Sequence, residues 1–141
     1  EGQEWYNLAK RTFELTKTSM SFRIYAMLKM YGEQVFEDSV TQVYDLAKRF
    51  AEMLAENGHF QMPVAVPDSN IVCFRYFEKG LSEKDLDQIN LNIRQAILEE
   101  GAFYIVQTRI NGHFFLRTTF MSPFTTEKEL EHLIEKILSL Q

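Results

Sequence analysis

The chain has 141 residues, enough for one domain with a true core and too few for two. Its composition, 45% hydrophobic and 25% charged, is that of a globular protein. The formal net charge is -5, and no basic stripe is present that could neutralise phosphates, so nucleic acid is not an expected partner.

A single cysteine, Cys73, rules out an internal disulfide and points to a reducing, cytoplasmic setting. No apolar run reaches the roughly 18–20 residues of a membrane span, and no signal-peptide pattern opens the chain. The first residues are Glu-Gly-Gln-Glu rather than Met, which suggests a processed or trimmed product.

In chain order, residues 4–15 carry Trp5, Tyr6, Leu8, Phe13 and Leu15, a mixed pattern of helix and then a short extended piece. From Ser19 to Tyr31, Phe22, Ile24, Tyr25, Met27, Leu28 and Met30 surround a helix on nearly all sides. Such a helix is expected to be buried on more than one side, as a connector clamped between domains would be. After Gly32, the residues Phe36, Val40, Val43, Tyr44, Ala47, Phe50, Ala51 and Leu54 recur at helical spacing through residue 56. Asn57-Gly58 is the stop.

Residues 59–66 read as a short extended piece bounded by Pro63 and Pro67, and residues 70–77 as a strand rich in β-branched and aromatic side chains. Ser82 with Asp85 resembles a capping box for a helix carrying Leu86, Ile89, Ile93, Ile97 and Leu98, which ends at Gly101. Strands over 102–110 and 113–120 flank Asn111-Gly112, a pair that supplies the two positive φ angles of a tight hairpin. Thr126 and Glu129 form a full capping box before Leu130, Leu133, Ile134, Ile137 and Leu138.

Hairpin-linked strands exclude a purely parallel sheet. The expected fold class is therefore α+β: a small antiparallel or mixed sheet with helices mainly on one face.

A self-contained catalytic set is not found. His59, His113 and His132 have no metal-ligand spacing with one another or with Cys73, and no metal site is expected. Glycine-rich phosphate loops and nucleophile elbows are missing. Cys73 inside an apolar strand reads as an inert thiol, His132 and Glu99-Glu100 read as solvated surface, and His113 sits exposed by the turn. Arg75 and Arg117 interrupt aromatic strand segments. Each is either an outward-facing residue on a half-exposed sheet or a guanidinium aimed at a carboxylate.

Three segments resemble the group II pyridoxal-phosphate-dependent decarboxylases, which include aromatic-amino-acid, glutamate and diaminobutyrate decarboxylases. Thr16-Lys17 through Ser21-Phe22-Arg23-Ile24-Tyr25 to Gly32 resembles the helix that leaves the large domain. Asn70 through Arg75 resembles a small-domain strand; Phe115-Leu116-Arg117 and Pro123 through Glu127 resemble the last strand and the start of the last helix. The three occur in family order and register.

The resemblance implies the C-terminal small domain of the aspartate-aminotransferase fold type. It makes residues 1–141 a single domain, with about 1–32 connecting to a missing large domain and 33–141 as its core. It implies a carbon-carbon lyase that acts on an amino acid, is homodimeric at full length and uses pyridoxal phosphate as an electron sink. The Schiff-base lysine, usually preceded by histidine, would lie upstream; no His-Lys dipeptide occurs here, so no catalytic residue is placed in this chain and the fragment alone is expected to be inactive.

By the same resemblance Thr16 and Lys17 stand near the active-site mouth, while Arg117 positions the substrate carboxylate or braces the domain interface. Met20 departs from the arginine that aromatic-amino-acid decarboxylases tend to carry, so their substrate preference does not transfer. The competing expectation is a stand-alone ferredoxin-like module for regulation or protein interaction.

Overall fold

The computed structural model describes residues 20–141. The chain divides into two compact units at Glu37/Asp38. In the first, α1 (Met20–Tyr31) has no buried residue, and Phe22, Tyr25, Met30 and Tyr31 are each more than half exposed. Burial on more than one side was the expectation for this helix. These apolar residues are instead exposed in the structure.

The remaining elements are α2 (Gln34–Asn57), β1 (Phe60–Gln61), β2 (Ile71–Tyr76), α3 (Glu83–Glu100), β3 (Val106–Ile110), β4 (His113–Thr119) and α4 (Glu127–Leu138). They give the expected α+β class. The sheet is four-stranded in the order β1-β2-β4-β3, and every pairing in it is antiparallel.

Alternation along the strands sorts side chains to two faces. Val72, Phe74, Tyr76, Phe114 and Leu116 join one buried cluster with Phe50 and Leu54 of α2, Ile93 and Ile97 of α3, and Leu133 and Ile137 of α4. The helices thus share one face of the sheet. Phe50 is the hinge of this cluster, meeting Phe74 edge-on at 5.3 Å and Phe120 at 5.7 Å.

Local signals set the element ends. Ser82 Oγ accepts the Asp85 N–H at 3.2 Å, and Gly101, at φ 74°, closes α3 by donating its N–H to the Ile97 carbonyl. The Glu129 carboxylate accepts the Thr126 N–H at 2.8 Å, completing the capping box of α4. Asn111 and Gly112, at φ 53° and 87°, turn β3 into β4.

Two asparagines finish β2. The fully buried Asn90 of α3 accepts the Tyr76 N–H at 2.7 Å and donates to the Tyr76 carbonyl at 2.9 Å, substituting for a neighbouring strand. At the other end Asn70 donates its amide to the Phe120 carbonyl at 2.6 Å and accepts the Phe120 N–H at 2.9 Å.

β3 is shorter than its apolar run. β3 begins at Val106 rather than 102, because Phe103 packs edge-on to His132 and the Ile105 carbonyl accepts from Arg94 Nε at 3.2 Å. His132 itself stays exposed, as expected, with the Phe103 ring edge-on to it. No helix among the described residues is long and apolar enough to cross a membrane.

Phe50→Ala should cost about 3–5 kcal/mol, since it removes a ring shared by α2 and the sheet and leaves a cavity. Urea unfolding of the chain beside the parent measures this, and a loss below 1 kcal/mol would contradict the core described.

Candidate functional site

The face of the sheet opposite the helices carries Cys73 and Arg75 on β2 and Phe115 and Arg117 on β4, placed there by strand alternation. Register sets Cys73 beside Arg117, with Val106 of β3 on the other side of Arg117. The two arginines of this face are in opposite states.

Arg75 is only 3% exposed. Its Nε donates to Gln61 Oε1 at 2.8 Å, its Nη1 lies 2.7 Å from Glu83 Oε2, and its guanidinium stands 5.0 Å from the centre of the Phe115 ring. Of the two readings open for a strand arginine, the carboxylate partner holds here, and it belongs to this chain. Glu83 also meets His113 Nδ1 at 3.2 Å. Asp87 accepts the Phe114 N–H at 2.7 Å and lies 3.8 Å from Arg109. His113, read as free surface, is thus tied to the first turn of α3.

Hydrogen bonding from Arg75, followed by the charges of Arg75 and His113, holds the Glu83 carboxyl below its ordinary value.

Arg117 lacks such a network. Its Nε is buried, and among the described residues no hydrogen-bond partner meets it. A buried donor without an acceptor is costly, and in a native protein it asks for a reason. Burial pushes the neighbouring Cys73 thiol upward and the Arg117 charge opposes the shift, which leaves the thiol protonated at neutral pH. The reading of Cys73 as inert agrees with this. Thr16 and Lys17, the other two candidates, lie outside the described residues.

A metal has no ligand cluster among the described residues. Pyridoxal phosphate fares no better. Lys84 lines a cleft of about 450 Å³ between α3 and β3, but the Asp87 carboxylate there is committed to Phe114 and Arg109 and cannot serve a pyridinium nitrogen. Lys128 lines a second cleft beside Glu129, Glu131 and Glu135, whose acids would repel a phosphate. The described residues therefore do not build a cofactor cradle.

Solved structures match this fold. The chain superposes on mouse CSAD with a TM-score of 0.78 at 16% identity, covering 99% of this chain and 32% of that one. On the glutamate decarboxylase domain of a Vibrio parahaemolyticus diaminobutyrate-pyruvate transaminase and L-2,4-diaminobutyrate decarboxylase the TM-score is 0.74 at 23% identity, covering 85% and 25%. The architecture is thus that of the small domain of the aspartate-aminotransferase fold type.

The family model of the pyridoxal-dependent decarboxylase conserved domain matches residues 4–77, just over half of the chain. The chain belongs to the pyridoxal-dependent decarboxylase family. It is 26% identical over 116 residues to tyrosine decarboxylase 2 of Arabidopsis thaliana, covering 82% of this chain and 21% of that protein. To L-2,4-diaminobutyrate decarboxylase of Acinetobacter baumannii it is 20% identical over 133 residues, covering 94% and 26%. The chain spans about a quarter of the length of these relatives. The resemblance drawn from the three sequence segments is borne out.

Because the folded Glu83 carboxyl titrates below its unfolded value, its contribution is complete above the ordinary value of 4.5 and disappears as pH falls through the lowered one. Glu83→Gln should be less stable than the parent at pH 7, and the gap should close as pH drops below 4.5. Urea midpoints from pH 7 to pH 3 test this; a gap independent of pH would show that the carboxylate charge is not what Arg75 needs.

Proposed function

We propose that this chain is the C-terminal small domain of a pyridoxal-phosphate-dependent amino-acid decarboxylase and that it brings Arg117 to the substrate. The observation that carries the reading is the buried, unpartnered Nε of Arg117 on the sheet face away from the helices, in a chain of this family. Residues 1–32 connect to a large domain that holds the cofactor and its lysine, and residues 33–141 form the small-domain core. The share of each relative that this chain spans supports that division.

In the complete enzyme the cofactor supplies the electron sink for carbon dioxide loss. This chain's part is orientation. The planar fork of Arg117 donates two parallel hydrogen bonds to a carboxylate and fixes the direction from which the amino acid enters. Held equally in ground and transition states, the carboxylate adds to kcat/KM through binding, without any proton transfer by the arginine. Arg75 cannot share the task, since Gln61 and Glu83 already satisfy it. Thr16 and Lys17 are proposed at the mouth of the site, and the full-length protein is proposed to be a homodimer in the cytoplasm.

The native polypeptide, isolated from its source, should be several times larger than 16.6 kDa and carry the yellow absorbance of the cofactor. It should release carbon dioxide from an amino acid, while the 141-residue chain alone should release none. In the full-length enzyme Arg117→Ala should lower kcat/KM about 10- to 150-fold, the equivalent of a charged hydrogen bond of about 1.5–3 kcal/mol. Arg117→Lys should recover little, because an ammonium lacks the fork. An unchanged kcat/KM in Arg117→Ala would remove the arginine from the substrate.

A further inference from the structure

We infer that Asn70 is a positioning residue for Arg117: its side-chain clasp on Phe120 holds the end of β4 from which Arg117 reaches its ligand. This rests on the reading of Arg117 as the carboxylate holder.

A side chain can be aimed by its own partners or by the backbone that bears it. Arg75 is aimed by partners: Gln61 and Glu83 grip its guanidinium. Arg117 has no partner on its buried Nε, so its direction comes from β4. The strand's fastening at that end therefore becomes a property of the binding site.

That fastening is short. β4 ends at Thr119, two residues beyond Arg117, and its last ladder partner on β2 is Ile71. Edge strand β3 begins opposite Arg117, at Val106, and gives no support beyond it. Past Thr119 the chain is held to β2 by Asn70, through the 2.6 Å bond from its amide to the Phe120 carbonyl and the 2.9 Å bond from the Phe120 N–H to its own carbonyl. The first of these needs the asparagine side chain. Without it the Phe120 carbonyl loses its donor, and that end of β4 keeps only the backbone bond to Asn70 and the contact of the Phe120 ring with Phe50.

The consequence falls on binding. An arginine that holds a carboxylate equally in ground and transition states sets KM with little effect on kcat. Loosening β4 should have the same signature, and only through Arg117.

The test is a double-mutant cycle in the full-length holoenzyme, using carbon dioxide release from whichever of the protein amino acids or L-2,4-diaminobutyrate it turns over fastest. Asn70→Ala should raise KM about 3- to 10-fold with kcat within about 2-fold of the parent, and should add nothing in an Arg117→Ala background. Asn70→Asp keeps the size but cannot donate to Phe120 at neutral pH. It is measured alongside and stands in if the alanine variant does not accumulate.

A lower melting temperature with unchanged KM would overturn the inference and leave Asn70 a purely structural residue. An equal KM increase in both backgrounds would overturn it as well, since the effect would bypass Arg117. An Arg117→Ala enzyme with parental KM, or no release from any amino acid, would instead sink the proposed function and take this inference with it.

Discussion

A guanidinium only 3% exposed has to be neutralised and hydrogen-bonded within the protein, and Arg75 obtains this from three directions. Gln61 comes from β1, Glu83 from the first turn of α3, and the Phe115 ring from β4. No two of these elements are adjacent in the chain, yet the charge is satisfied only when all are in place. Placing Glu83 at the start of α3 also suits the helix dipole, which favours an acid there. Buried pairs of this kind add little net stability over apolar packing. What they add is a penalty on any arrangement that leaves the arginine alone, so the register of β1, the start of α3 and the height of β4 are decided together.

That anchoring gives the sheet two unlike faces. On one, aromatic and aliphatic side chains of β2 and β4 interlock with α2, α3 and α4. On the other, the Arg75 guanidinium stands over the Phe115 ring, and two residues along the same two strands Cys73 faces Arg117, whose Nε is buried and unpaired among the described residues. Sites that bind ligands are where a protein tolerates a locally unfavourable group, provided the surrounding structure is firm.

How far the sequence could be read depended on the range of the interaction involved. α2 and α4 were plain in the spacing of Phe50 and Leu54 and of Leu130, Leu133, Ile134 and Ile137, since a helix writes its buried face every three or four residues. Asn111-Gly112 announced the hairpin because the turn's φ values are a property of two residues. Arg75 could not be assigned locally: an arginine in a strand looks alike whether it faces water or a carboxylate that arrives on a later helix. Residues 102–105 look like strand, but the Phe103 ring goes to His132 of α4, Tyr104 stays exposed and the Ile105 carbonyl goes to Arg94, contacts set by tertiary packing. Arg117 was marked by family likeness; the empty hydrogen-bonding position that makes it interesting is invisible without coordinates.

The same contrast bears on how, under the proposed function, a domain whose described residues build no cofactor cradle could matter to catalysis. An electron sink does its chemistry wherever it is held, but which bond of the amino acid breaks depends on how the substrate is turned relative to it. Orientation is set by fixed groups at a distance from the reacting bond, and a fixed group is only as good as the element that carries it. A sheet strand held on both edges moves less than a loop, and an arginine with no internal partner has nothing to release before it binds. Ion pairing within the chain would have cost Arg117 that readiness, as it does Arg75. Under the function proposed for Arg117, the unpaired buried Nε is a local cost accepted so that the guanidinium has no internal ion pair to release.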